Sequence, residues 1–211
     1  LVETFLETLK DDIHDMICSY DGDNYRGLDS DRDTEAEIET VLRLFPDVLT
    51  RRKQIVIYDG DDEEDEVEEE ERLMFYPIQF LAVTFCRDDN GWSSTHRCNA
   101  KAVSFIPLVA RLAIELGLFH EQQRGGLLLR GGLHIPTKLM RGDPIERHSQ
   151  EHHEYIDDKY LQVLVQLRKL GLLKKKDIQR YHLLNKICRN SYYFAEKRFR
   201  FLVQWDPTAL T

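Results

Sequence analysis

Apolar positions recur at helical spacing along most of the chain. Val2, Phe5, Leu6, Leu9, Ile13, Met16 and Ile17 fall three and four apart, the pattern of one helix face. Asp-Gly-Asp-Asn at 21–24 and Asp29 to Asp33 interrupt it. A second helix is expected from about Glu35 through Ile38, Val41, Leu42 and Phe45, with Thr34 as N-cap and Glu37 completing a capping box. Pro46 ends it, because the residue before a proline is pushed out of helical dihedrals. Further helices are expected near Pro77–Cys86, Phe105–Leu116, Asp157–Leu170, Gln179–Cys188 and Ala195–Trp205. Pro107 fits only in a first helical turn, where its missing N–H would have no partner anyway. Tyr160, Val163, Leu164 and Leu167 share one stripe. Polar or Gly-rich stretches at 88–97, 121–132 and 141–154 separate these helices, and Ile55–Tyr58 is strand-like but too short and isolated to make a sheet.

Short stretches recur in the same order. Leu42–Thr50 returns as Leu202–Thr211 with the proline shifted by one. Glu115-Leu-Gly-Leu-Phe119 pairs with Lys169-Leu-Gly-Leu-Leu173, and Leu127–Leu128 with Leu183–Leu184. Tyr76-Pro-Ile-Gln pairs with Tyr181-His-Leu-Leu. Tyr76-Pro-Ile-Gln-Phe-Leu-Ala82 resembles the Thr-Pro-Leu-His-x-Ala opening of an ankyrin repeat, and Tyr181–Thr211 is similar to one whole repeat of about 33 residues. Trp205-Asp-Pro-Thr-Ala-Leu takes the place of the family's closing segment, while Gln79 and Leu184 stand where the family has His. The resemblance is to divergent ankyrin-like proteins of algal type. It implies an all-α fold, a solenoid of about four helix-pair repeats with irregular loop insertions, that binds another protein.

Charge changes this picture locally. The formal net charge is −9, but Asp59–Glu71 holds eleven carboxylates and no basic residue, so the remainder carries +2. That run reads as an acidic disordered insertion, since like charges at this density repel. From Lys159 to Thr211 twelve Lys and Arg face three acids. Lys174–Lys176 and Lys197-Arg-Phe-Arg200 with interleaved aromatics give the alternative function, nucleic-acid binding through 159–211. Cys18, Cys86, Cys98 and Cys188 form no CxxC pair, and read as reduced thiols of an intracellular protein, cytoplasmic or nuclear. No apolar run approaches the ~18 residues of a membrane span.

Two constellations invite chemistry. His148-Ser-Gln-Glu-His152 fits the HxxEH pattern of inverted zinc peptidases, with Glu151 as base. The segment lacks an apolar face and an evident third ligand, so the expectation is a polar His-rich loop. Asp29-x-Asp31-x-Asp33 resembles the start of a calcium loop, yet Thr34 stands where the turn needs Gly and Thr40 where it needs Glu. A carboxylate cluster before a helix explains it better. The expectation is therefore a binding protein without catalysis, cofactor or metal. Residues 1–211 form a single repeat domain, expected to continue into further units and to leave an apolar patch around Phe199, Phe201 and Trp205.

Overall fold

The computed structural model describes residues 2–21, 24–57, 71–87, 94–129, 134–143, 149–190 and 193–210. Their order is α1 (Val2–Ile17), α2 (Glu35–Leu44), a 3₁₀ turn at Pro46–Leu49, β1 (Lys53–Ile57), β2 (Glu71–Phe75), α3 (Pro77–Phe80), β3 (Val83–Arg87) and β4 (Ser94–Cys98). A 3₁₀ turn at Val103–Phe105 leads into α4 (Ile106–Glu115), followed by a 3₁₀ turn at Glu121–Gln123, α5 (Ile135–Lys138), α6 (Gln150–Lys169), α7 (Lys175–Arg180), α8 (Leu183–Cys188), α9 (Glu196–Trp205) and a last 3₁₀ turn, Pro207–Leu210. The architecture is mainly helical, with two antiparallel hairpins set between α2 and α4.

Local chemistry accounts for several boundaries. Thr34 accepts the Glu37 N–H at 3.3 Å while the Glu37 carboxylate accepts the Thr34 N–H at 2.9 Å, the reciprocal capping box that starts α2. Pro107 sits in the first turn of α4. Helices α4 and α6 end alike on left-handed glycines, Gly117 (φ 66°) and Gly171 (φ 69°). Leu118 N–H reaches back to Ala113 and Leu172 N–H to Leu167, so the repeated Leu-Gly-Leu is one C-cap device used twice.

A second correspondence is closer than the sequence pairing. Helix α2 and its turn, and α9 and its turn, have equal lengths and lie 161 positions apart at both ends, Glu35 to Glu196 and Pro46 to Pro207. The prolines coincide; the one-residue shift disappears.

Three expectations need correction. Ile55–Tyr58 is not isolated: β1 pairs with β2, Lys53 opposite Phe75 and Ile57 opposite Glu71. The fold is thus not purely all-α, and Glu71 belongs to a strand; residues 59–70 of the acidic run lie outside the described residues. The expected helix Pro77–Cys86 stops at Phe80, and the chain turns through Leu81 and Ala82 into β3, which pairs with β4. The expected helix Gln179–Cys188 is broken between α7 and α8 by His182, held at φ 51°.

One continuous core runs through the molecule, from Ile17, Leu42 and Val48 to Tyr160, Leu164, Leu183 and Leu202. The stripe Tyr160, Val163, Leu164 and Leu167 is buried throughout. Phe199, Phe201 and Trp205 are half-buried against this core, neither covered nor open, while Glu196, Lys197, Arg200 and Gln204 form the outer stripe of α9. The expected broad apolar patch is thus divided by a polar ridge. Among the described residues no helix is long and apolar enough to cross a membrane.

Candidate interaction surface

Helix α9 is positioned by buried charge. Asp157 and Arg198 are both fully buried. Arg198 Nε donates to Asp157 Oδ1 at 2.6 Å, and Nη1 donates to the carbonyls of Leu139 at 2.6 Å and Arg141 at 2.8 Å. The other carboxylate oxygen of Asp157 accepts the backbone N–H of Lys197 at 3.0 Å. Asp157 therefore caps α9 from α6, where Ala195 supplies no side-chain acceptor. The guanidinium lies 5.3 Å from the Tyr160 ring, and the Tyr160 hydroxyl donates to the Ala82 carbonyl. Nearby, burial pushes Lys138 down to about 7, with the positive charge of Arg141 adding to the shift. Such a centre fixes geometry more than it adds stability, because its desolvation cost offsets much of its attraction.

Two surface features are built on α6–α9 and the turn that follows. On the first, the Arg168 guanidinium lies 4.7 Å from the Trp205 ring and 5.7 Å from that of Phe201, whose centroids are 5.7 Å apart. Trp205 and Phe201 keep part of their area in water. The second is a groove of about 570 Å³ between α7, α8 and the Pro207–Leu210 turn. It is lined by Ile178, Leu184 and Ala209 together with the polar side chains of Gln179, His182, Asn185 and Thr208. Gln179 bridges its walls, donating to Asp206 Oδ2 and Thr208 Oγ, each at 3.1 Å. Asp206 is buried at the base of the turn and also takes Lys175 at 3.3 Å. The exposed charges of α7 and α8 are all basic: Lys175, Lys176, Arg180 and Lys186, with Lys174 and Arg189 at their ends. The one carboxylate between 174 and 190, Asp177, is buried and paired with Arg124.

The sites suggested by motif are dispersed. His148 lies outside the described residues. His152 and His153 stand in the first turn of α6, which Ser149 caps, and not in a loop as expected. His152 Nε2 is 3.2 Å from Asp143 Oδ2, and His153 is buried in a parallel stack with Tyr193 at 5.0 Å. Among the described residues no three His, Cys, Asp or Glu group together as metal ligands would. Asp29 and Asp33 are engaged locally, by Lys101 at 3.1 Å and Arg32 at 2.7 Å, and each also accepts a backbone N–H. Cys18, Cys98 and Cys188 are free thiols, and burial pushes Cys18 up to about 12, which keeps it protonated.

The basic segment is largely spent within the molecule. Seven of its twelve cations are engaged. Lys159, Lys175, Lys197, Arg198 and Arg200 pair with carboxylates, while Arg168 and Arg180 lie over aromatic rings. Sequence reasoning placed Arg198 among surface cations; only its spacing of four from Leu202, on the inner face of α9, hints otherwise. The groove had no sequence signal, since it forms between elements thirty residues apart. Comparison with family models, curated proteins and solved structures finds no match to this chain.

Proposed function

We propose that this chain is a protein-binding module of ankyrin-like type, about four helix pairs without catalysis, which recognises another protein through the α7–α9 face. The observation that carries this reading is the half-exposed cluster of Arg168, Phe201 and Trp205. Trp and Arg dominate the energetics of protein interfaces, because they bury much area while keeping a polar or cationic handle. The groove is lined by Thr208 and Ala209, three and four residues beyond Trp205. The recurrence of α2 and its turn as α9 and its turn supports the repeat reading.

Nucleic-acid binding through 159–211 is the second reading, favoured by exposed Lys174, Lys176, Lys186 and Arg189. The immobilised chain is challenged with cell extract beside a variant carrying Arg168→Glu and Trp205→Ala, with and without nuclease. A protein retained by the parent, lost by the folded variant and indifferent to nuclease is the expected result. Capture that disappears with nuclease and falls steeply with salt assigns the face to nucleic acid instead.

A further inference from the structure

Lys138 closes α5 and is only 3% exposed. Burial pushes its ammonium down to about 7, the charge of Arg141 pushes the same way, and nothing acts on it in the opposite sense. Among the described residues, therefore, no carboxylate or hydrogen-bond acceptor answers this amine. Arg141, three positions on and partly in water, is in a similar state: burial lowers it, and only the thiol of Cys98 works against that. The groups that could balance the two charges are committed elsewhere. Asp143 stands against His152 at 3.2 Å. The carbonyls of Leu139 and Arg141 accept from Arg198, and that of Met140 accepts from Asn190 at 3.0 Å. Two cations repel one another here with no anion to balance them, and one of the two is buried.

We propose that Lys138 is a modification site for carbon dioxide: its amine forms a carbamate, which the Arg141 guanidinium holds. The modification does not depend on the protein-binding reading above. The Nζ lone pair attacks the carbon of CO2, a C–N bond forms, and one C–O π bond breaks onto oxygen. The proton lost from nitrogen passes to water, so a neutral amine becomes a monoanion and one proton is released. Three features favour Lys138 over the exposed lysines. About half of its amines are uncharged near neutral pH, against fewer than about one in a thousand for a lysine in water. Carbon dioxide is small and uncharged, so reaching a buried amine costs it little desolvation. The product also replaces cation against cation with anion against cation, and a guanidinium offers a carboxylate-like group two parallel N–H donors. The addition thereby supplies the counter-charge that the fold leaves out.

The 211-residue chain is equilibrated with isotope-labelled bicarbonate and dissolved CO2 at pH about 7.5. Carbamates are then trapped by alkylation with triethyloxonium and located by peptide mass spectrometry. The labelled ethoxycarbonyl group is expected on Lys138 at least roughly tenfold above its level on Lys174, Lys176 and Lys186, whose exposed amines serve as internal standards. That comparison needs no variant. The role of Arg141 is read at pH about 8.5, where the Lys138 amine is mostly uncharged whichever residue stands at 141. There Arg141→Gln is expected to lower the labelling of Lys138 several-fold, with circular dichroism confirming the fold; Arg141→Met serves if the Gln variant does not fold. Preferential labelling of Lys138 that falls in the folded variant supports the site. Labelling of Lys138 no greater than that of the exposed lysines, or labelling unchanged in the folded variant, overturns it.

Discussion

Helices α2 and α9 have the same length and lead into the same turn, yet they are started by different means. Helix α2 is capped by its own neighbours in sequence, Thr34 and Glu37, both exposed to water. Helix α9 is capped from 40 residues away by Asp157, which is buried and carries Arg198 on its other oxygen. A local cap forms as soon as the helix does and owes nothing to the rest of the fold. A distant cap exists only when α6 and α9 are already packed, so it couples the end of the chain to the core. The two turns differ in the same sense: the first is closed by apolar packing, the second is wired by Gln179, Lys175 and Asp206 and leaves a groove.

The contrast breaks most severely at the buried pair. Asp157→Ala strands the Arg198 charge in the core and removes the cap on Lys197 N–H, with an expected loss of about 3–5 kcal/mol in urea unfolding. Replacing both partners, Asp157→Leu with Arg198→Met, should recover much of that loss, because neither charge is then desolvated. If the double variant is as unstable as the single one, the pair does more than satisfy itself.

Lys138, beside the carbonyl that holds Arg198, gives the next effect. Its folded value is pushed down to about 7 from an ordinary 10.5, so between those limits the unfolded chain holds a proton that the folded one lacks. Stability should therefore rise with pH across that window, and the penalty is fully present below about 7. Lys138→Met is expected to add roughly 2–4 kcal/mol near pH 6 and almost nothing near pH 10.5. A gain independent of pH would point to packing instead of charge.

At the other helix, Thr34→Ala should cost about 1 kcal/mol, the usual worth of an exposed N-cap. A loss near that of Asp157→Ala would erase the distinction between the two caps. Smallest of all, Arg200→Ala removes the exposed i,i+4 pair with Glu196 and should change thermal stability by less than about 0.5 kcal/mol.

What could be read from the sequence follows the same division. The capping box of α2, the place of Pro107 in α4 and the buried stripe of α6 depend on residues within one turn of one another, and sequence spacing exposes them. Strand β4, Ser-Thr-His-Arg-Cys, has no apolar alternation and is a strand only because Val83–Arg87 pairs with it. The partner of Ile55 lies beyond the acidic run, so β1 looked solitary. Arg198 resembled its basic neighbours because nothing local distinguishes a buried guanidinium from a solvated one. His182 breaks α7 from α8 with a left-handed backbone that histidine adopts rarely, and no glycine announced it.

The Arg198 centre also bears on how the molecule carries a load. Its guanidinium grips α6 through Asp157 and the 139–141 backbone through two carbonyls, three short bonds side by side. Tension drawn along α9, by a tethered partner or by more chain beyond it, reaches those bonds together and must shear them at once instead of peeling them singly. The Pro207–Leu210 turn is fastened at buried Asp206, but by the exposed side chains of Gln179, Lys175 and Thr208. Under force the turn is expected to give way before α9, a difference that pulling from the C-terminal end would reveal.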